Sequence, residues 1–184
     1  MTSELKTAEQ YLESLRQLKL RVYFLGERVE NPADFQLTKP SQNAVAMTYR
    51  LAQDPRYSDL MTATSHLTGE TVNRFTHIPQ NSEDLVRKVK MLRLLGQKTG
   101  VCFQRCVGMD ALIALSSVTY ELDQRLGTQY LAKFNEFLTY VQRNDLVCNG
   151  AMTDVKGDRS LRPSQQKDPD LYVRVVEKRK DGII

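Results

Sequence analysis

Apolar residues recur at helical spacing through most of the first 145 positions and alternate at strand spacing only near the end. Thr7 and Gln10 have the spacing of a capping box. Tyr11, Leu12, Leu15 and Leu18 follow at helical steps, which predicts a helix over 8–19. Val22-Tyr23-Phe24-Leu25 is β-branched and aromatic, and Gly26 with Glu30-Asn31-Pro32 limits it to a short strand or extended arm. Ser41 opens a second helix through Ala44, Val45, Met47, Tyr49 and Leu51. It ends before Asp54-Pro55, because a residue preceding proline avoids helical dihedrals. Residues 56–80, rich in Thr, Ser, His and Gly, read as a connection of weak regular structure crossing a helical core. Ser82 with Glu83 and Asp84 behind it starts a helix over 83–98, since a hydroxyl caps free amides and acids complement the dipole. Its stripe Leu85, Val89, Leu92 and Leu95 is opposed by Met91 and Leu94, which predicts a central helix covered on more than one side. A helix over 101–125 carries Cys102, Cys106, Met109, Ile113, Ser117 and Tyr120 on one face. After Gly127-Thr128 another begins, striped by Tyr130, Phe134, Phe137, Leu138 and Val141.

Beyond Cys148 the character changes. Residues 149–160 form a loop rich in glycine, acids and bases. Residues 171–178 alternate as a strand, and Lys180-Asp181-Gly182 supplies a hairpin turn into Ile183-Ile184. The expected fold class is mainly α, with a helical domain over 1–146 and a segment over 147–184 that opens a β-rich domain and is cut short there. A strand with so little partner is not stable by itself.

Composition agrees with a folded domain. The 184 residues are 41% hydrophobic and 26% charged, enough for a core without disulfide or metal staples. No apolar run approaches the roughly 18 residues a membrane span needs. The first residues, Met1-Thr2-Ser3-Glu4-Leu5-Lys6, lack the layout of a secretory signal, so a cytoplasmic location with no membrane partner is expected. The net charge is +4, and Arg87, Lys88, Lys90, Arg93 and Lys98 cluster on one helix, with Arg174, Lys178, Arg179 and Lys180 near the end. Leu and Met interleave with these charges where a nucleic-acid surface would carry stacking aromatics, so a solvated face or contacts to an acidic ligand fit better.

Three cysteines is an odd count for a disulfide framework. At i, i+4 on a helix, Cys102 and Cys106 would share a face a few ångström apart, as two ligands of one metal or iron–sulfur cluster do. On spacing alone, burial as two small core residues is the simpler account, since cysteine is among the most buried residue types. His66 and His77 could complete a site or be ordinary polar loop residues, and Cys148 has no ligand spacing to the pair. In 150–160, two glycines, Thr153, Lys156 and Arg159 are the parts of a phosphate or flavin cradle, or of a polar connection. No phosphate-binding P-loop, dinucleotide fingerprint or nucleophile elbow is present in the sequence.

Several stretches together carry a family resemblance: Ala8-Glu9-Gln10-Tyr11 with Glu13-Ser14-Leu15-Arg16, Val89-Lys90-Met91 with Leu94-Leu95-Gly96-Gln97-Lys98-Thr99, Cys102-Phe103-Gln104-Arg105-Cys106-Val107-Gly108-Met109-Asp110, and Gly150-Ala151-Met152-Thr153-Asp154 with Lys156-Gly157-Asp158-Arg159. Over essentially its whole length the chain resembles the N-terminal part of the 4-hydroxybutyryl-CoA dehydratase/vinylacetyl-CoA delta-isomerase family. The related flavin-dependent 4-hydroxyphenylacetate 3-monooxygenases share that family's fold but lack the cysteine pair. The resemblance implies an acyl-CoA-dehydrogenase-like architecture in which a helical N-terminal domain precedes a β domain and a four-helix bundle, this chain being roughly the first third. It implies that Cys102 and Cys106 are two ligands of a 4Fe-4S cluster, and that Met152, Thr153, Asp154, Val155, Lys156, Gly157, Asp158 and Arg159 form an FAD-contacting loop. Val155 departs from the proline that relatives often have. The remaining ligands, a histidine and a cysteine, would lie beyond Ile184, and His66, His77 and Cys148 match no ligand position.

The implied reaction is dehydration of 4-hydroxybutyryl-CoA to crotonyl-CoA, with isomerisation of vinylacetyl-CoA, in 4-aminobutyrate fermentation. A base removes the α-proton with redox help from FAD and Lewis-acid help from the cluster. An acyl-CoA substrate, a homotetrameric full-length protein, no nucleic-acid partner and an inactive isolated chain follow. The alternatives are a flavin-dependent aromatic monooxygenase-like protein and a non-catalytic helical interaction module.

Overall fold

A computed structural model describes residues 5–150, 157–170, 174–180 and 182–183. They form two units, 1–150 and 151–184. The first unit is helical. α1 (Ala8–Arg16) has the expected reciprocal cap, the Gln10 amide donating to Thr7 Oγ1 at 3.2 Å and the Thr7 amide to Gln10 Oε1 at 2.8 Å. A small hairpin of β1 (Val22–Phe24) and β2 (Glu27–Val29) follows, and then α2 (Lys39–Gln53), which stops before Asp54-Pro55 as the proline dictates.

The connection over 56–80 is more regular than its composition suggests. It holds a single helical turn α3 (Ser58–Met61), an antiparallel pair β3 (Thr62–Thr64) and β4 (Thr71–Asn73), and a 3-10 turn at Arg74–Thr76. In the register Ala63 faces Val72, and Gly69, at a φ of 71°, makes the left-handed turn that closes the pair. Phe75 and Ile78 leave this connection to enter the core.

α4 (Ser82–Thr99) is capped by Asn81 rather than Ser82, the Asp84 amide donating to Asn81 Oδ1 at 2.9 Å. It is covered along one side only: Met91 and Leu95 are buried, whereas Leu85, Val86 and Val89 are exposed. Of the expected stripe, Leu92 and Leu95 pack against the core and Leu85 and Val89 do not, because α2 and α3 meet the helix on the Met91 side. α5 (Cys106–Leu126) buries Gly108, Met109 and Leu112 near its start, and Leu115, Val118, Tyr120 and Leu126 stay exposed. α6 (Tyr130–Arg143) packs back on α5 through Phe134 and Leu138, while Phe137 of the expected stripe faces outward. Asp123 joins the two helices by accepting from the amides of Tyr130 at 2.8 Å and Leu131 at 3.0 Å, the first free donors of α6.

Among the described residues three apolar clusters make the core: Leu51, Met61, Phe75, Met91, Leu95 and Phe103 between α2 and α4; Tyr11, Val45 and Tyr49 between α1 and α2; Ile78, Leu112, Phe134 and Leu138 under α5 and α6. No helix among the described residues is long and apolar enough to cross a membrane. Part of the basic surface of α4 is paired with acids: Arg87 meets Glu83 at 2.9 Å and Asp59 at 3.1 Å, and Lys88 meets Asp110 at 2.6 Å.

In the second unit, β5 (Lys178–Arg179) pairs antiparallel with β6 (Gly182–Ile183), Arg179 opposite Gly182, as the Lys180-Asp181-Gly182 turn predicts. Strand pairing does not extend back through 174–177, and Leu171, Tyr172 and Val173 of the predicted strand lie outside the described residues.

Candidate functional site

α4 ends where Gly100 takes a left-handed φ of 64°, and the chain turns through 101–105 before α5 begins at Cys106. Cys102 therefore stands on the turn and not on the helix, so the predicted helical i, i+4 geometry is not what joins the two cysteines. Tertiary packing joins them instead. Phe103 is buried with its ring 5.7 Å from that of Phe75, Arg105 is buried, and Gln104 between them adopts a φ of 59° that non-glycine residues seldom take. The turn brings Cys102 near enough to act on the Cys106 thiol.

Both thiols are free, Cys102 exposed and Cys106 half-buried. Burial pushes the Cys106 thiol up and the adjacent Cys102 adds to the rise, while the amides of Val107 and of Cys106 itself at the head of α5 oppose it. Two soft thiol donors converging at a helix head fit two thiolate ligands of an iron–sulfur centre. Two ligands are half of a usual set, and no group of three or more His, Cys, Asp or Glu that could hold a metal occurs among the described residues. His77 is buried elsewhere with Nε2 3.0 Å from Asp84 Oδ2, and His66 is exposed. Cys148 is half-buried beside the Ile78–Leu112 cluster, its thiol pushed up by burial.

Arg105 and Gly108, which the sequence did not single out, build the surroundings. The Arg105 guanidinium lies 4.8 Å from the Tyr49 ring centre and 4.7 Å from that of Phe75. With Tyr11 stacked on Tyr49 at 5.0 Å and Phe103 tilted against Phe75 at 5.7 Å, five side chains from four segments form one column. Nη1 donates to Thr48 Oγ1 at 3.0 Å, and Nη2 reaches the Leu146 carbonyl at 3.4 Å and Asp145 Oδ1 at 3.8 Å. Gly108 lets the chain after α6 lie on the first turn of α5. A methyl group at Gly108 would meet the Cys148 carbonyl oxygen at 1.8 Å, and one at Gly150 would meet Val107 Cγ1 at 2.5 Å. The only advance signal for either residue was position: an arginine between two cysteines, and a glycine inside a helix, which is costly unless packing needs it.

Residues 148–150 thus lie against the start of α5, and in sequence they precede the predicted flavin loop. Of that loop, Met152, Thr153, Asp154, Val155 and Lys156 lie outside the described residues. Gly157 packs so closely on Gln166 that a methyl group would meet its Oε1 at 2.3 Å. The Asp158 amide donates to Gln166 Oε1 at 2.9 Å, and Asp158 Oδ1 accepts from the Ser160 amide at 2.9 Å and hydroxyl at 2.6 Å. Those Ser160 bonds hold the Asp158 carboxyl below the usual range. Asp158 closes the loop on itself, while Arg159 is exposed.

The family described as 4-hydroxyphenylacetate 3-hydroxylase N terminal matches residues 7–184. The chain is 62% identical over 180 residues, 98% of its length, to the 4-hydroxybutyryl-CoA dehydratase/vinylacetyl-CoA-Delta-isomerase of Clostridium aminobutyricum, of which it covers 37%. An oxygen-tolerant archaeal 4-hydroxybutyryl-CoA dehydratase from N. maritimus matches it with a TM-score of 0.86 and 51% identity, over 98% of this chain and 36% of that one. The oxygenase component of a 4-hydroxyphenylacetate 3-monooxygenase, solved with FAD and 4-hydroxyphenylacetate, matches with a TM-score of 0.76 and 24% identity, over 97% of this chain and 36% of that one. With that last protein the fold is what is shared. The chain spans little more than a third of the length of these relatives.

Proposed function

Since the chain belongs to the 4-hydroxyphenylacetate 3-hydroxylase N-terminal family, we propose that it is the N-terminal part of a FAD- and 4Fe-4S-dependent enzyme that dehydrates 4-hydroxybutyryl-CoA to crotonyl-CoA and isomerises vinylacetyl-CoA. The observation that carries this choice within the family is the convergence of two free thiols, Cys102 and Cys106, at the head of α5. Hydroxylation of a phenol by reduced flavin needs no thiolate pair, whereas an iron–sulfur cluster takes its iron ligands from such pairs.

In this reading Cys102 and Cys106 hold one side of the cluster as thiolates. Burial opposes the loss of the Cys106 proton, and the amides at the head of α5 favour it, so ligation and deprotonation occur together. Residues 152–159 contact the flavin, with Arg159 open to a phosphate group and Asp158 keeping the loop closed through Ser160 and Gln166. Gly108 keeps the stem of that loop against the cysteine-bearing helix. When bound, the flavin supplies reversible electron and hydrogen transfer and the cluster supplies Lewis acidity toward the leaving hydroxyl. The other two ligands, a histidine and a cysteine, and the base for the α-proton belong to the remainder of the enzyme, a cytoplasmic homotetramer.

The test is an anaerobic assay of the intact, reconstituted protein with 4-hydroxybutyryl-CoA. Formation of crotonyl-CoA is expected. Hydroxylation of a phenol driven by reduced flavin, in protein free of cluster iron, would establish the monooxygenase reading in its place.

A further inference from the structure

An arginine ordinarily keeps its guanidinium in water, yet Arg105 is 1% exposed. An apolar side chain of similar volume would fill the gap between Tyr49 and Phe75 without the cost of desolvating a charge. The guanidinium must therefore supply what an apolar group cannot, which is directed contact with several segments at once. It lies over both rings, Nη1 reaches Thr48 on α2, and Nη2 reaches Leu146 and Asp145 in the stretch leading from α6. Tyr49 closes the circle by donating its hydroxyl to the Asp145 carbonyl at 2.9 Å.

That anchor bears on the thiols because Cys102 is not on a helix. The position of Cys106 is fixed by α5, but the position of Cys102 relative to it depends on a turn containing Gln104 in a left-handed conformation. A strained turn persists where its surroundings over-determine it. Phe103 and Arg105, the residues flanking Gln104, are both buried in the aromatic column.

We propose that Arg105 is the positioning residue of the thiol pair: it clamps the Cys102–Cys106 turn to α2 and to residues 145–146, so that both thiols are presented together before any metal arrives. The purpose of this arrangement rests on the cluster reading above, but the arrangement itself is testable without a cluster.

The test uses the intact protein, reduced and cluster-free, with phenylarsine oxide as a probe that bridges two neighbouring thiols. Wild type should bind one arsenical across Cys102 and Cys106, and Cys102→Ser should abolish the bridge. Arg105→Met fills the column without the fork, and Arg105→Lys keeps the charge without the planar stack. Both should weaken arsenical binding about 10- to 100-fold, the range by which supporting groups affect bound centres, with far-UV circular dichroism unchanged. Should the methionine variant not fold, the lysine variant is read alone. Wild-type affinity in the folded variants overturns the proposal, including the case where only their melting temperature falls, since that marks a structural role alone. Iron content after anaerobic reconstitution is measured beside it. A wild type that bridges the arsenical yet takes no iron refutes the cluster reading and leaves the clamp standing.

Discussion

Gly108 lies so close to Cys148 that a single added methyl group would sit 1.8 Å from the Cys148 carbonyl oxygen and 2.3 Å from its carbonyl carbon. Backbone meets backbone there, so no side chain can swing aside to make room. Gly108→Ala should therefore destabilise the fold by at least about 1–3 kcal/mol, the usual cost of overpacking. Gly96, exposed inside α4 with nothing near its missing methyl, is the control. Gly96→Ala should stabilise by about 0.5–1 kcal/mol through helix propensity alone. Thermal melts of the two variants check this, and equal shifts would remove the packing role assigned to Gly108.

Asp84 gathers the Gln80 amide at 2.9 Å, His77 Nε2 at 3.0 Å and Arg74 Nη1 at 3.4 Å. Burial pulls its pKa upward, and the Gln80 amide, His77 and Arg74 together outweigh it, so the carboxyl is held below its ordinary range. A carboxylate depressed in the folded state contributes stability that is present above its unfolded pKa and lost as pH falls through the folded value. Asp84→Asn should thus cost about 2 kcal/mol at neutral pH, as expected for losing hydrogen bonds to a charged group. The gap to wild type should close as pH drops through and below the carboxylate range. Urea melts across that range check the sign, and a gap that widened toward acid would contradict it.

The three thiols differ in access. Cys102 is exposed, whereas Cys106 and Cys148 are half-buried and burial raises both of their pKa values. In cluster-free protein, iodoacetamide should modify Cys102 first, as read by peptide mass spectrometry. After reconstitution Cys102 and Cys106 should become protected together while Cys148 keeps its rate. Protection of Cys148 alone would contradict the choice of ligands.

Local chemistry made much of the fold legible. The Thr7–Gln10 cap, the stop before Pro55, the left-handed glycine after α5 and the turn before Gly182 each act within a few residues of sequence, so they could be read without the rest of the chain. The start of α5 lies later than the spacing of Cys102 and Cys106 predicts, because Gly100 and the burial of Phe103 interrupt that helical pattern. Which stripe of α4 is buried depends on α2 and α3, and its own sequence offered two apolar faces. In the candidate site, the cysteine pair was singled out by resemblance, while its predicted helical spacing is not the geometry the structure gives. Arg105 was not, because its partners Thr48, Tyr49, Phe75 and Leu146 are contributed by segments 30 or more positions away. A contact of that range leaves no periodic trace.

The assignment of Cys102 and Cys106 as cluster ligands is tested most directly by the iron and acid-labile sulfide content of the intact Cys102→Ala/Cys106→Ala double variant after anaerobic reconstitution. The expected result is a folded protein that keeps its flavin, has lost its cluster iron and forms no crotonyl-CoA. A double variant with wild-type iron content and unchanged dehydratase activity would contradict it.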